Sequence, residues 1–304
     1  MVTYRCSEER EYMKKLTLSR KAFLVFDVTL LALLIAVCAY PLIYVLFASF
    51  SDSNLLIKHS GFLLKPLGFN IMSYKAVFSN PMIGKGYLNT LFILVVGVAI
   101  NIMMTSLAAY FLSRRNVMFK APIMAIMLFT MYFSGGIIPS YITIKNLGLY
   151  DSLWSLILPV SISTYNLIIM RTSFQGIPAS LEEAAYLDGA GHLTIIRYVI
   201  LPLSKAIIAV MVLYYGVEYW NSWFNASIYL NDRSKYPLQL VLREILLQND
   251  ISNMAGGAEA GDVYSVAESI KYAVIVVATF PILCLYPYLQ KYFVKGVMIG
   301  SLKG

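Results

Sequence analysis

Residues 214–225, YYGVEYWNSWFN, place a carboxylate, amides, hydroxyls and two indoles inside an apolar run. Tyr214, Glu218, Asn221, Ser222 and Asn225 recur at steps of three and four, so they fall on one helical face, with Trp220 and Trp223 beside it. This is a set for binding. Planar hydrogen-bonding groups hold hydroxyls and aromatic faces cover C–H patches, which suits a sugar. An ionised group at the centre of a membrane span costs about 2.5–3.5 kcal/mol on insertion scales, so the stripe must face protein or water. The alternative is that Asn221 and Asn225 only join helices, as polar side chains in membranes often do. Asn101 and Thr105 form a second i, i+4 polar pair, read as helix packing. Ser161, Thr164 and Tyr165, after Pro159, are candidates for the same path, and Gly135 with Gly136 allows close packing or a bend.

The elements that position these residues follow from hydropathy. The 304 residues are 59% hydrophobic and 13% charged, about half the charge of a soluble domain. Apolar runs long enough to span a bilayer lie at 22–50, 87–112, 121–140, 153–170, 203–230 and 267–289, the fourth being the shortest and most polar. The expectation is an all-α polytopic membrane protein with six transmembrane helices, a permease-like domain over 22–289. Basic residues set its orientation. Arg5, Arg10, Lys14, Lys15, Arg20 and Lys21 precede the first span, Arg114, Arg115 and Lys120 fill the loop after the second, and Lys291, Lys295 and Lys303 follow the last. These segments, including tails 1–21 and 290–304, are expected in the cytoplasm. Loops 51–86 and 231–266 are then exported. In the latter, PLQLVLREILLQND reads as an amphipathic helix and MAGGAEAGD as a flexible linker.

The same layout excludes several chemistries. The net charge of +8 is scattered over loops, a topology signal and not a nucleic-acid surface. His59 and His192 fall on opposite sides of the membrane and cannot share a metal. Cys6 lies in the cytoplasmic tail and Cys38 and Cys284 within spans, so no exported disulfide is expected. No G-x-x-x-x-G-K-[ST] phosphate loop occurs, and no nucleophile–base or paired-carboxylate set falls in one aqueous pocket. Any ATP must be bound elsewhere.

The long cytoplasmic loop, 171–202, contains EEAAYLDGAGHLTIIRYVILP. Ser180 with Glu183 three residues on reads as a capping box, opening a helix over 181–187. Gly189 suits a left-handed position just past its end. Ala184 and Ala185 leave one face almost bare, so another surface can approach its backbone. A second helix from about Thr194 has Ile195, Ile196, Val199 and Ile200 on one face against Arg197 and Tyr198, and can lie along the membrane interface. Pro202 then turns the chain into the fifth span. The two helices make a rigid knob.

This stretch resembles the EAA loop of ABC-importer permeases at Glu183, Ala184, Ala185, Gly189, Leu201 and Pro202, with Val199 where isoleucine is usual. The tail QKYFVKGVMIGSLKG resembles that of maltose-type carbohydrate permeases, with Gly296, Gly300 and Lys303 in register. WNSWF resembles their W-N-x-F pattern, and SGGIIPSYITIKNLGLYDSLWSLILP resembles the LplC/YtcP-type oligosaccharide permeases. The resemblance implies the type I ABC-importer permease fold in a bacterial plasma membrane. It implies a non-catalytic subunit that binds no cofactor, with ATP and Mg on partner subunits. The implied partners are a second homologous permease, two ATPases, an external solute-binding lipoprotein and an oligosaccharide. It assigns Glu183, Ala184, Ala185, Asp188, Gly189, Gly296, Gly300 and Lys303 to ATPase coupling. Tyr214, Glu218, Trp220, Asn221 and Asn225 are expected on the substrate pathway. An amino-acid or peptide importer is the runner-up. A proton-coupled transporter using Glu218 lacks the paired repeats such proteins show, and a scaffold would use the knob for docking alone. No Lys or Arg lies near Glu218 in its own span or at matching depth in spans two to four, so a neutral glycan is expected over a uronate.

Overall fold

The computed structural model describes residues 17–114, 117–247 and 269–284. Regular structure in them is helical, apart from one isolated antiparallel bridge, Ser51–Phe69. Helix α1 (Leu18–Ser49) is apolar on every side and buries only Ala48 and Ser49, at its far end. A helix of that kind is solvated by lipid or covered by another subunit. Short helices α2 (Ser53–Lys58) and α3 (Met72–Ser79) lead to α4 (Pro81–Ser113), which starts on Pro81 with Asn80 accepting from the Met82 amide at 2.9 Å. Helix α4 is the hub of the fold. It is both long and apolar, yet 28% of its most apolar window is buried, against none in α1.

The later apolar runs are interrupted, with the bend allowed for at Gly135–Gly136 and the turn expected at Pro202 both present. Run 121–140 is two helices, α5 (Lys120–Tyr132) and α6 (Ile137–Asn146), bent by 117°. The break contains Gly136 at φ 86°, a backbone conformation that side chains disfavour. Run 153–170 is interrupted: α7 (Trp154–Ile157) passes into a 3₁₀ turn at Leu158–Val160, and α8 (Thr164–Gln175) starts anew. Pro159 causes this, since it offers no N–H to continue the ladder. Beyond α9 (Ala179–Leu187) and α10 (His192–Leu203), run 203–230 turns by 87° into α11 (Lys205–Trp220) and breaks again before α12 (Phe224–Tyr229). There the Asn221 side chain donates to its own Val217 carbonyl at 2.9 Å, competing with the backbone ladder. Helix α13 (Leu238–Leu247) is amphipathic as expected, burying Leu238, Leu240, Val241, Leu242 and Ile245. Helix α14 covers Ser269–Cys284. Among the described residues two helices are long and apolar enough to cross a membrane, and up to four if each bent pair counts as one span. The expected linker MAGGAEAGD, the tail 290–304 and residues 1–16 lie outside the described residues; residues 18–21, expected in the N-terminal tail, belong to α1.

The interruption at residues 158–163 is sealed by side chains from two other helices. Asn101 of α4 donates its amide to the Val160 carbonyl at 3.2 Å, and the Tyr215 hydroxyl of α11 accepts from the Ser163 amide at 3.2 Å. Thr105 lies 2.7 Å from that hydroxyl, and Tyr219 donates to Asn101 at 3.0 Å. Asn101 and Thr105 thus join helices, as expected. Gly97 makes the approach possible, because a Cβ there would sit 2.6 Å from the Tyr219 ring.

The Pro81 end of α4 is clasped by the loop before α13. Asn89 donates to the Ser234 and Tyr236 carbonyls, Thr90 accepts from the Leu238 amide at 2.8 Å, and Gly86 lets that backbone come close. Asp151, between α6 and α7, accepts from the Asn231 and Asp232 amides and from Lys235. The Asp232 amide bond, then Lys235 and the Asn231 amide, hold its carboxyl down to about 2.

The seal has a measurable consequence. Tyr215→Phe keeps the ring but leaves the Ser163 amide unpaired, at a cost of roughly 1–3 kcal/mol. Thermal unfolding in detergent should fall clearly for Tyr215→Phe. The same change at Tyr132, 78% exposed, should leave the transition where it was.

Candidate functional site

Two regions carry the candidate residues, one at each end of α11. The first is the knob formed by α9 and α10. The Ser180–Glu183 capping box is not formed: Pro178 occupies the cap, and Ser180 and Glu183 both lie inside the helix. Proline fixes its own φ and holds the preceding residue extended, so the helix begins directly after it. The other end is as expected. Gly189 has φ 81°, its amide donates to the Tyr186 carbonyl at 3.0 Å, and the Ala190 amide donates to Ala185 at 2.9 Å. These are the two bonds of a Schellman turn. A Cβ at Gly189 would meet nothing within 4 Å, so glycine is needed there for its backbone alone.

Helix α10 then buries Ile195, Ile196 and Ile200 and leaves Arg197 and Tyr198 exposed, the expected faces. On α9 the division is unusual. Glu183, Ala184, Leu187 and Asp188 point outward, Leu187 being 90% exposed, while Ala185 packs on the main core. Glu182 is the helix's one buried side chain. It pairs with Arg114, whose guanidinium also lies 4.8 Å from the Tyr110 ring centroid and donates to the Phe174 carbonyl at 3.4 Å. Beside it, His192 Nδ1 lies 2.7 Å from the Tyr186 hydroxyl and 3.3 Å from that of Tyr110. A cleft of about 1690 Å³ opens among these groups. Sequence reasoning missed Arg114, Glu182 and Leu187: the arginine was absorbed into loop charge, and nothing local marks the glutamate that turns inward. Gly296, Gly300 and Lys303 lie outside the described residues.

The second region is the polar stripe. Tyr214 and Glu218, with Asn221 just past the helix end, share the exposed or half-exposed side of α11, next to the face that buries Tyr215 and Tyr219. Tyr165 of α8 comes to 6.4 Å from the Tyr214 ring. Trp220 does not join them. It is 4% exposed, packs with α4, α13 and α14, and donates its indole N–H to the Ala278 carbonyl at 3.2 Å. Asn225 is separated by the break before α12 and lines a different cavity, of about 800 Å³, with Ser140, Thr143, Ser155 and Tyr229. The stripe is therefore not one continuous helical face.

The indole in the break after α11 carries a cation. Arg243 of α13 sits 3.6 Å from the Trp223 ring centroid, a cation–π distance. The two are twenty positions apart, so only the fold-back of α13 brings them together.

The left-handed turn at Gly189 can be checked directly. Gly189→Val should strain it by about 1–2 kcal/mol, raising amide hydrogen exchange over residues 185–190. Gly189→Asn, better tolerated at positive φ, should raise it less. Equal protection in all three proteins would contradict the assignment.

Comparison with known proteins places this geometry. Residues 90–299 match the family described as binding-protein-dependent transport system inner membrane component. The chain is 44% identical over 273 residues to the polygalacturonan/rhamnogalacturonan transport system permease protein YtcP of Bacillus subtilis (strain 168), covering 88% of this chain and 93% of that one. It is 42% identical to Protein LplC of the same organism, covering 93% and 97%. Among solved structures it matches a chain of a bacterial ABC transporter involved in the import of the acidic polysaccharide alginate. That match has a TM-score of 0.84 and 29% identity, covering 91% of this chain and 99% of that one. The chain belongs to the family of binding-protein-dependent transport system inner membrane components.

Proposed function

We propose that this chain is the permease subunit of an ATP-driven, binding-protein-dependent importer of oligosaccharides. It forms half of the translocation pathway beside a second, homologous permease. The observation that carries the reading is the α9 knob: a helix stopped by a left-handed glycine, bare at Ala184 and tipped by a leucine that is 90% exposed. Leu181, Leu193 and Tyr198 are exposed on the same two helices, and an apolar patch outside any span calls for a partner surface. An ATPase subunit is that partner, and Glu183, Ala184, Ala185, Asp188, Gly189 and Leu187 form the contact. Gly296, Gly300 and Lys303 add to it from the tail. Two such ATPases hold ATP and Mg, and this chain holds no cofactor.

The topology proposed with it is six spans in a bacterial plasma membrane, both termini cytoplasmic, with breaks in the third, fourth and fifth. Basic residues at Arg114, Arg115 and Lys120 put that end of α4 inside, and the clasp around Asp151 lies on the exported side. An external lipoprotein delivers the sugar there.

The pathway residues are Tyr214, Glu218, Asn221 and Asn225, joined by Tyr165. Trp220 is a packing residue. The expectation of a neutral glycan rested on the lack of a cation near Glu218; Arg243 over Trp223 now brings one to the indole two residues beyond Asn221. A cargo containing uronate sugars fits better. Relatives named for polygalacturonan and for alginate support it.

Uptake by the assembled complex in vesicles tests both levels, using an oligogalacturonide and a neutral oligosaccharide of the same length. One charge pair at 4 Å is worth roughly 1–4 kcal/mol between water and a partly buried site. Arg243→Gln should therefore lower acidic uptake at least about fivefold and leave neutral uptake little changed. A wild-type complex that carries only the neutral glycan would return the reading to uncharged sugars.

A further inference from the structure

A nine-residue helix normally binds its own protein through apolar side chains, but α9 buries only the carboxylate of Glu182. That group is 5% exposed, so it is not offered to any outside partner, whereas its neighbour Glu183 is exposed. A buried carboxylate needs a cation, and Arg114 supplies it from the last turn of α4. Arg114 is itself fixed from three sides: its Nε donates to Ser113 at 3.0 Å, its other arm donates to the Phe174 carbonyl of α8, and its plane lies over Tyr110. The α9 half of the knob is thus tied to the hub by charge, with Ala185 packed beside it. From there α4 continues as one 33-residue helix to Thr105 and Asn101, which grip Tyr215 and Tyr219 on the inner side of α11. Glu218 stands on the adjoining, exposed face of that same helix.

We infer that the Arg114–Glu182 pair is the joint through which displacement of the coupling helix reaches α4 and the pathway. Both are positioning residues and touch neither sugar nor nucleotide. This rests on the reading of the chain as an ATP-driven permease. Apolar contact alone would let α9 slide or tilt against the body. A paired, hydrogen-bonded guanidinium fixes both distance and direction, so a push on Leu187 is passed on as movement of α4. The Tyr186–His192–Tyr110 contacts steady the same helix from its other end.

The test uses the whole complex in vesicles and reads sugar imported per ATP hydrolysed, with ATPase co-purification as the measure of assembly. Glu182→Gln keeps the shape and loses the charge, and Arg114→Lys keeps the charge and loses the fork. Each should assemble, hydrolyse ATP and import about tenfold less sugar per ATP, the scale of a typical coupling free energy. The exchanged double variant, Arg114→Glu with Glu182→Arg, should recover most of the loss. Single variants with the wild-type ratio would overturn the inference, and so would a double variant that restores neither assembly nor ratio. If the wild-type complex itself imports nothing with ATP, the permease reading fails instead, and the two failures are told apart.

Discussion

A helix interrupted inside an apolar protein leaves backbone groups with nothing to bond, and in a bilayer water is not there to take them. This chain breaks its fourth apolar run at Pro159, exposing the Val160 carbonyl and the Ser163 amide. Asn101 from α4 and Tyr215 from α11 close that gap. Much else depends on the closure. It brings α4, α8 and α11 together, demands a glycine at position 97 to admit Tyr219, and thereby determines which side of α11 is left for Glu218. The polar groups buried between the helices serve the backbone, and those on the outer side are free to serve a ligand.

The other end of α4 obeys a different rule. There the partner element, α9, has to present its apolar and small residues outward, so little remains to hold it inward. One ion pair and a tyrosine–histidine contact do that work, and a Schellman turn stops the helix. On α9 apolar anchoring is reduced to Ala185, and charge supplements it, while α10 keeps its isoleucines in the core. Function follows from the combination: a presented knob at one end of a stiff rod, and a polar face held at the other.

Much of this was legible in the sequence, and what was not has a common cause. Uniform hydropathy marks α1 and α4, apolar residues at steps of three and four mark α13, and the glycine after Ala184–Leu187 marks the turn, because each signal is local. The EAA-like stretch shows its two helices and glycine turn in the sequence, although the proline before it, not Ser180, sets its start. Gly135–Gly136 and Pro202 mark their bends locally, whereas composition alone does not show that the ladder stops at Pro159 or after Asn221. The remaining misses are contacts across distance. Trp220 shares a stretch with Glu218, yet points into the packing of α4, α13 and α14. Arg114 finds Glu182 across 68 positions, and Arg243 finds Trp223 only because α13 folds back. No spacing rule within one segment reveals such pairs.

The central claim is that sugar movement along the α11 face is driven by nucleotide hydrolysis on another subunit through α9. The most direct measurement is uptake of a labelled oligosaccharide into sealed vesicles containing this chain, its partner permease and the ATPases, with loaded binding protein outside. The account predicts uptake that requires ATP within, stops when the ATPase is replaced by a hydrolysis-dead variant, and persists when the proton gradient is collapsed. Uptake that continues without ATP and disappears with the gradient would contradict it, and would make Glu218 a proton carrier instead.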